Sequence, residues 1–129
     1  MWLRMYSACA WSFSFFTALA LLPVLYLVAA GLKISQGSST AAMIIASSLA
    51  APLLPGLGIT SPLQLSLLVS VIGAGAMTVS HTNDSYFWVV SRFGGLSVQQ
   101  TLRGLTLATG WMGIAVLASA LALWMIAAG

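Results

Sequence analysis

The chain has 129 residues, 60% of them hydrophobic and only 4% charged, with a formal net charge of +3. Soluble domains carry about 25% charged residues, so a water-soluble fold that must cover itself with so few charges is excluded. Four scattered cations form no basic stripe, which excludes a nucleic-acid partner as well. The ionisable set is Arg4, Lys33, His81, Asp84, Arg92 and Arg103. Cys9 is the single cysteine, so no intrachain disulfide is possible, and no metal-ligand spacing or cofactor motif is present. With a mean hydropathy of +1.06, the chain reads as an all-α integral membrane protein with the lipid bilayer as its solvent.

The first charge-free stretch runs from Met5 to Leu32, longer than the ~20 apolar residues that span a hydrocarbon core. A transmembrane helix is expected over 7–32, with Pro23 inside it. The alternative of a signal peptide ending at Val28-Ala29-Ala30 fits poorly, because its apolar core would exceed the usual limit of about 15 residues. Lys33 closes the segment, and the cations read as topology markers at membrane boundaries. A polar tip follows over 33–40, containing Gln36, Gly37, Ser38, Ser39 and Thr40. Apolar sequence resumes over 41–54 until Pro52 and Pro55 interrupt it. That is short for a crossing, so a re-entrant half-helix is expected, forming a hairpin with the first segment. A plain extramembrane loop with a Ser cap is the alternative at Gln36–Thr40.

Residues 56–62 read as a turn rich in Gly and Pro. Residues 63–90 are expected to form one transmembrane helix broken by a polar cluster: Thr78, Ser80, His81, Thr82, Asn83, Asp84 and Ser85. Residues 92–104 carry Arg92 and Arg103 and read as a cytoplasmic loop or short surface helix. The last span is expected over 105–128, with Trp111 and Trp124 as possible interface anchors and the C-terminus external.

Interruptions at membrane depth are tolerated only where protein buries them or water lines them, and paired broken segments point to a transporter's substrate site. Free N–H groups and the positive helix end at each break can hold an anion without a buried Lys or Arg. Three competing motifs fall away. Gly73-Ala74-Gly75 lacks the third glycine and the βαβ setting of a dinucleotide fingerprint, and its small residues suit close helix packing. Ser80, His81 and Asp84 are too close in sequence for a hydrolytic triad, whose side chains must converge. Tyr86, Phe87 and Trp88 read as an aromatic belt. His81 and Asp84 fit a proton relay, with a local hydrogen-bonded pair as the other reading.

Ser80-His81-Thr82-Asn83-Asp84-Ser85-Tyr86-Phe87-Trp88, preceded by Gly73-Ala74-Gly75-Ala76-Met77, resembles the signature of the gluconate permease (GntP) family. Gln36-Gly37-Ser38-Ser39-Thr40-Ala41-Ala42 and Leu96-Ser97-Val98-Gln99-Gln100-Thr101 are similar to two further stretches of that family, in the same order. Thr82 and Ala76 are mild departures, where Val and Ser are commoner.

The resemblance implies gluconate:proton symport, the uptake of gluconate or a related sugar-acid anion with protons through a multi-pass permease of the bacterial inner membrane. It implies no enzyme activity. Gly37, Ser38, Ser39, Thr40, Ser80 and Asn83 would bind the anion, and His81 and Asp84 would carry the proton. Family members are several times longer and consist of two inverted repeats. This chain would therefore hold much of the second, as a truncated or partial permease completed by a missing N-terminal portion or by homo-oligomerisation. A small membrane protein with a helix-packing role in a complex is the alternative.

Overall fold

The computed structural model describes the backbone from Trp2 to Ala128 and the side chains of residues 16–17 and 19–126, so Cys9 and most of the signal-peptide alternative lie outside the described side chains. The described residues form helices joined by turns and short loops, without a strand. Helix α1 spans Trp2–Gln36 and contains Pro23. It stops at Gly37, whose φ of +69° is a left-handed conformation open to glycine at no steric cost. Ser38 then caps α2 (Ser39–Ala50), its hydroxyl accepting from the Ala41 N–H at 3.3 Å.

Pro52 and Pro55 end α2 as expected of residues that cannot continue a helix, and the chain passes through two 3-10 turns, Ala51–Leu53 and Pro55–Leu57. Gly58, at φ +68°, completes that turn. Helix α3 (Pro62–Met77) opens on a proline at its first position, where no N–H is needed. Helix α4 (Ser85–Phe93) is capped by Asp84.

Sequence reasoning puts a loop or short surface helix over 92–104 and starts the last span at 105. In the structure, helix resumes at Val98 and runs as α5 (Val98–Thr101), a π turn (Leu102–Thr106) and α6 (Leu107–Ala128) without a gap. The physical cause is a reciprocal cap. The Ser97 hydroxyl accepts from the Gln100 N–H at 3.2 Å, and the Gln100 side chain accepts from the Ser97 N–H at 2.9 Å.

Helix α1 is the centre of the packing, against α3 above all and also against α2 and α6, while α3 packs on α6. Leu22, Leu25 and Ala29 of α1 meet Val71 and Ile72 of α3 and Ala120 and Trp124 of α6 in one core. Ala42, Ala46 and Ala50 recur every four residues on α2, giving it a flat face that allows close approach. Trp124 is therefore a core residue, 1% exposed, rather than an interface anchor. Trp111 is 71% exposed.

The outward faces remain apolar, with Leu27, Val69, Phe93, Met125 and Ile126 exposed. Two stretches, Leu19–Gln36 and Val98–Ile126, are helical, long and apolar enough to cross a membrane. Helix α3, with 16 residues, is about 24 Å long.

Gly75 sets the α1–α3 distance, because a Cβ there would collide with the Tyr26 carbonyl and touch Ala29 Cβ at 3.0 Å. Gly75→Ala is expected to destabilise the chain by about 1–3 kcal/mol through overpacking. Thermal unfolding in detergent micelles measures it. Gly73→Ala, with open space around it, is the control and should be close to neutral.

Candidate functional site

Two helix ends meet in space although 40-odd residues separate them. One is the C-terminal turn of α1 with Gly37; the other is the non-helical run from Thr78 to Asp84 between α3 and α4. The Asn83 side chain reaches across and donates to the carbonyl oxygen of Ser35 at 3.1 Å, with a longer contact to that of Ile34 at 3.4 Å. Those are carbonyls that the last turn of a helix leaves without partners. Gly37 is buried against the Asn83 main chain, and a Cβ there would overlap the Asn83 carbonyl oxygen.

Lys33 and Asp84 form the centre of the junction. Lys33 Nζ lies 2.7 Å from Asp84 Oδ2, with the two side chains 1% and 8% exposed. The same carboxylate oxygen accepts a very short hydrogen bond from the Ser80 hydroxyl. The other oxygen, Oδ1, accepts from the Tyr86 N–H at 3.1 Å and so caps α4. A buried carboxylate thus has a cation, a hydroxyl and a helix N-terminus around it, the combination that charged groups need away from water. Lys33 in turn sits at the negative end of α1. Lys33 is accordingly no solvent-facing boundary marker, and the site does hold a buried cation.

The unwound backbone is held from the π turn and from α6. The Ser80 N–H donates to Thr109 Oγ1 at 3.2 Å, and the Ser80 carbonyl accepts from Thr106 Oγ1. Two threonine hydroxyls replace the hydrogen bonds that the helix break removed, as a buried break requires. Thr106 ends the π turn, a feature that often appears at functional sites.

At the start of the break, the Thr78 hydroxyl donates to the Ala74 carbonyl at 2.7 Å, which leaves Tyr26 as donor in their 2.9 Å hydrogen bond. Val79 follows at φ +55°. A β-branched residue rarely adopts this conformation, so the surrounding bonds hold it there.

The structure brings together Gly37, Ser80, Asn83 and Asp84. Ser38 is exposed, with its hydroxyl engaged as the α2 cap; Ser39 is half-buried and Thr40 exposed. The His81 side chain is half-buried, but its Nδ1 is fully buried with no hydrogen-bond partner. Asp84 pairs with Lys33 and not with the His81 ring, although the Asp84 N–H donates to the His81 carbonyl at 2.8 Å.

Sequence reasoning missed Lys33, Tyr26, Thr106 and Thr109. For Lys33 a signal existed: it is the lone cation within two long charge-poor stretches, and Asp84 is the lone carboxylate.

The family profile described as GntP family permease matches residues 12–126. The chain belongs to that family. Among its relatives, the gluconate permease of Bacillus subtilis is 40% identical over 91 residues, covering 70% of this chain and 19% of the relative. The inner membrane permease YgbN of Escherichia coli is 36% identical over 95 residues, covering 74% and 20%. The high-affinity gluconate transporter of Escherichia coli is 38% identical over 76 residues, covering 59% and 16%. The chain thus spans about a fifth of the length of these relatives. No solved structure matches it.

Proposed function

We propose that the chain contributes a substrate-binding half-site to a permease that carries gluconate or a related sugar-acid anion inward with protons across a bacterial inner membrane. The observation that carries this reading is the meeting of two unwound helix ends at Lys33–Gly37 and Ser80–Asp84, joined by Asn83 and by a buried ion pair. Such paired helix breaks, lined by hydroxyl side chains, are suited to an anion rich in hydroxyls. In this reading the end of α1, the tip and α2 form a re-entrant hairpin, and α3 with α4 forms a broken transmembrane helix. Both belong to one of two inverted repeats, with residues 92–104 toward the cytoplasm.

Gly37, Ser38, Ser39 and Thr40 on one side, and Ser80 and Asn83 on the other, contact the substrate. His81 and Asp84 handle the proton. The chain acts as part of a larger permease, joined either to further permease sequence or to other copies. Names of the relatives, two of them gluconate carriers, support the choice of substrate.

The test is a chimera in which this chain replaces the aligned fifth of the Bacillus subtilis gluconate permease, expressed in cells that lack gluconate uptake. Labelled gluconate should accumulate, and collapse of the proton gradient should stop it. A chimera that reaches the membrane in normal amount yet takes up no gluconate, beside an active parent, overturns the reading.

A further inference from the structure

The Asp84 carboxylate has around it what a free carboxylate would need: the Lys33 ammonium, the Ser80 hydroxyl and the Tyr86 N–H in the first turn of α4. It occupies that place as a resident anion. We infer that Lys33 is the ligand of the substrate's carboxylate and that Asp84 is its built-in competitor, released by protonation. This rests on the sugar-acid reading above and adds to it the identity of the anion's ligand and the reason why proton and anion move together.

The charge balance carries the argument. In the empty site, Lys33 is +1 and Asp84 is −1, and the pair is neutral. When Asp84 takes a proton and the substrate's carboxylate takes its place on Lys33, the site is neutral again. A proton alone would leave +1 in the site, and an anion alone would leave −1. Uncompensated charge is costly where both side chains are almost fully removed from water. The two favoured states are therefore empty and doubly loaded, which is the condition for symport. On release, the anion leaves Lys33, Asp84 gives its proton to the other side, and the ion pair re-forms. No other bond is made or broken.

The ionisable groups around the pair are few. Helices α2 and α3 have none in their sequences, and neither does the chain beyond Arg103. The π turn offers Thr106 and helix α6 offers Thr109 to Ser80. Helix α1 adds Tyr26, engaged with Thr78, and α4 adds Tyr86 and, in its last turn, Arg92. His81 lies three residues before Asp84 with its buried Nδ1 unpartnered.

The chimera described above, in proteoliposomes, separates the alternatives through two readouts, accumulation and exchange of labelled for unlabelled gluconate. The parent chimera should show an apparent gluconate affinity that falls by about tenfold per pH unit as the pH rises above the point where Asp84 gives up its proton. Asp84→Asn should lose accumulation but still exchange gluconate, now without pH dependence, because Lys33 no longer has a competitor. Adding Lys33→Gln to Asp84→Asn keeps the site neutral, so folding is not at issue, and should lower affinity on the order of a hundredfold by removing the anion's partner. If the double variant exchanges gluconate as well as Asp84→Asn does, the pair is only a structural brace and the inference fails. A pH slope that persists in Asp84→Asn also overturns it. Failure of the unmutated chimera to transport would instead bring down the functional reading itself.

Discussion

Lys33→Met is expected to destabilise the chain by about 3–5 kcal/mol, among the largest effects of any single substitution outside the core. The loss comes less from the attraction given up than from what is left behind. Asp84, 6% exposed in the structure, is left without its cation, with only Ser80 and the Tyr86 N–H to hold it. The double variant Lys33→Met, Asp84→Asn should recover most of that loss. Asn still accepts from the Tyr86 N–H as an N-cap, and its amide still meets the Ser80 hydroxyl, while no charge remains to be buried. The double variant should therefore unfold within about 1–2 kcal/mol of the wild type. Denaturant unfolding in micelles, followed by tryptophan fluorescence, gives both values. Equal stability of Lys33→Met and wild type would mean that the pair is hydrated in solution. Stability and transport then part company: neutralising the pair restores the fold but removes the anion's partner.

How much of this could be read from the residues depends on the range of the interaction. Local signals were legible. Prolines at 52, 55 and 62 end and begin helices, and Gly37 with Ser38 stops one helix and caps the next. The low charge content and long apolar runs point to membrane helices, and the Ser80–Trp88 stretch with its companions carries the family. The Ser97–Gln100 cap was equally local, and its pattern of Ser followed three residues later by Gln marks a helix start that composition, read as a charged loop, concealed.

Long-range pairings left no comparable trace. Lys33 and Asp84 are 51 positions apart (84 − 33), and neither a periodicity nor a turn type specifies that two such residues meet. The same holds for Thr106 and Thr109, which look like ordinary helix hydroxyls until the unwound Ser80 peptide is placed against them. Gly113 is a further case, because a Cβ there would overlap the Thr78 hydroxyl. The break was visible in the sequence; what satisfies it was not.

Gly37→Ala should be the most damaging of the glycine substitutions, and Gly58→Ala shows why. Both glycines have nearly the same left-handed conformation, φ +69° and φ +68°, so alanine pays a similar backbone cost of about 1–2 kcal/mol at each. Their surroundings differ. Nothing lies within 4 Å of a Cβ at Gly58, whereas at Gly37 it would overlap the Asn83 carbonyl oxygen and lie 3.2 Å from Asn83 Cγ. That neighbour is backbone and cannot rotate away. The end of α1 would have to withdraw from the 78–84 segment, which stretches the Asn83–Ser35 hydrogen bond and the Lys33–Asp84 pair together. Gly37→Ala is accordingly expected to cost at least about 2 kcal/mol more than Gly58→Ala, the range of a buried pair weakened on top of overpacking. It should also reduce gluconate exchange in the chimera, while Gly58→Ala leaves exchange intact. If the two variants unfold at the same denaturant concentration, the approach of the two helix ends is loose in solution, and the ion pair could not exclude water tightly enough to couple two ligands.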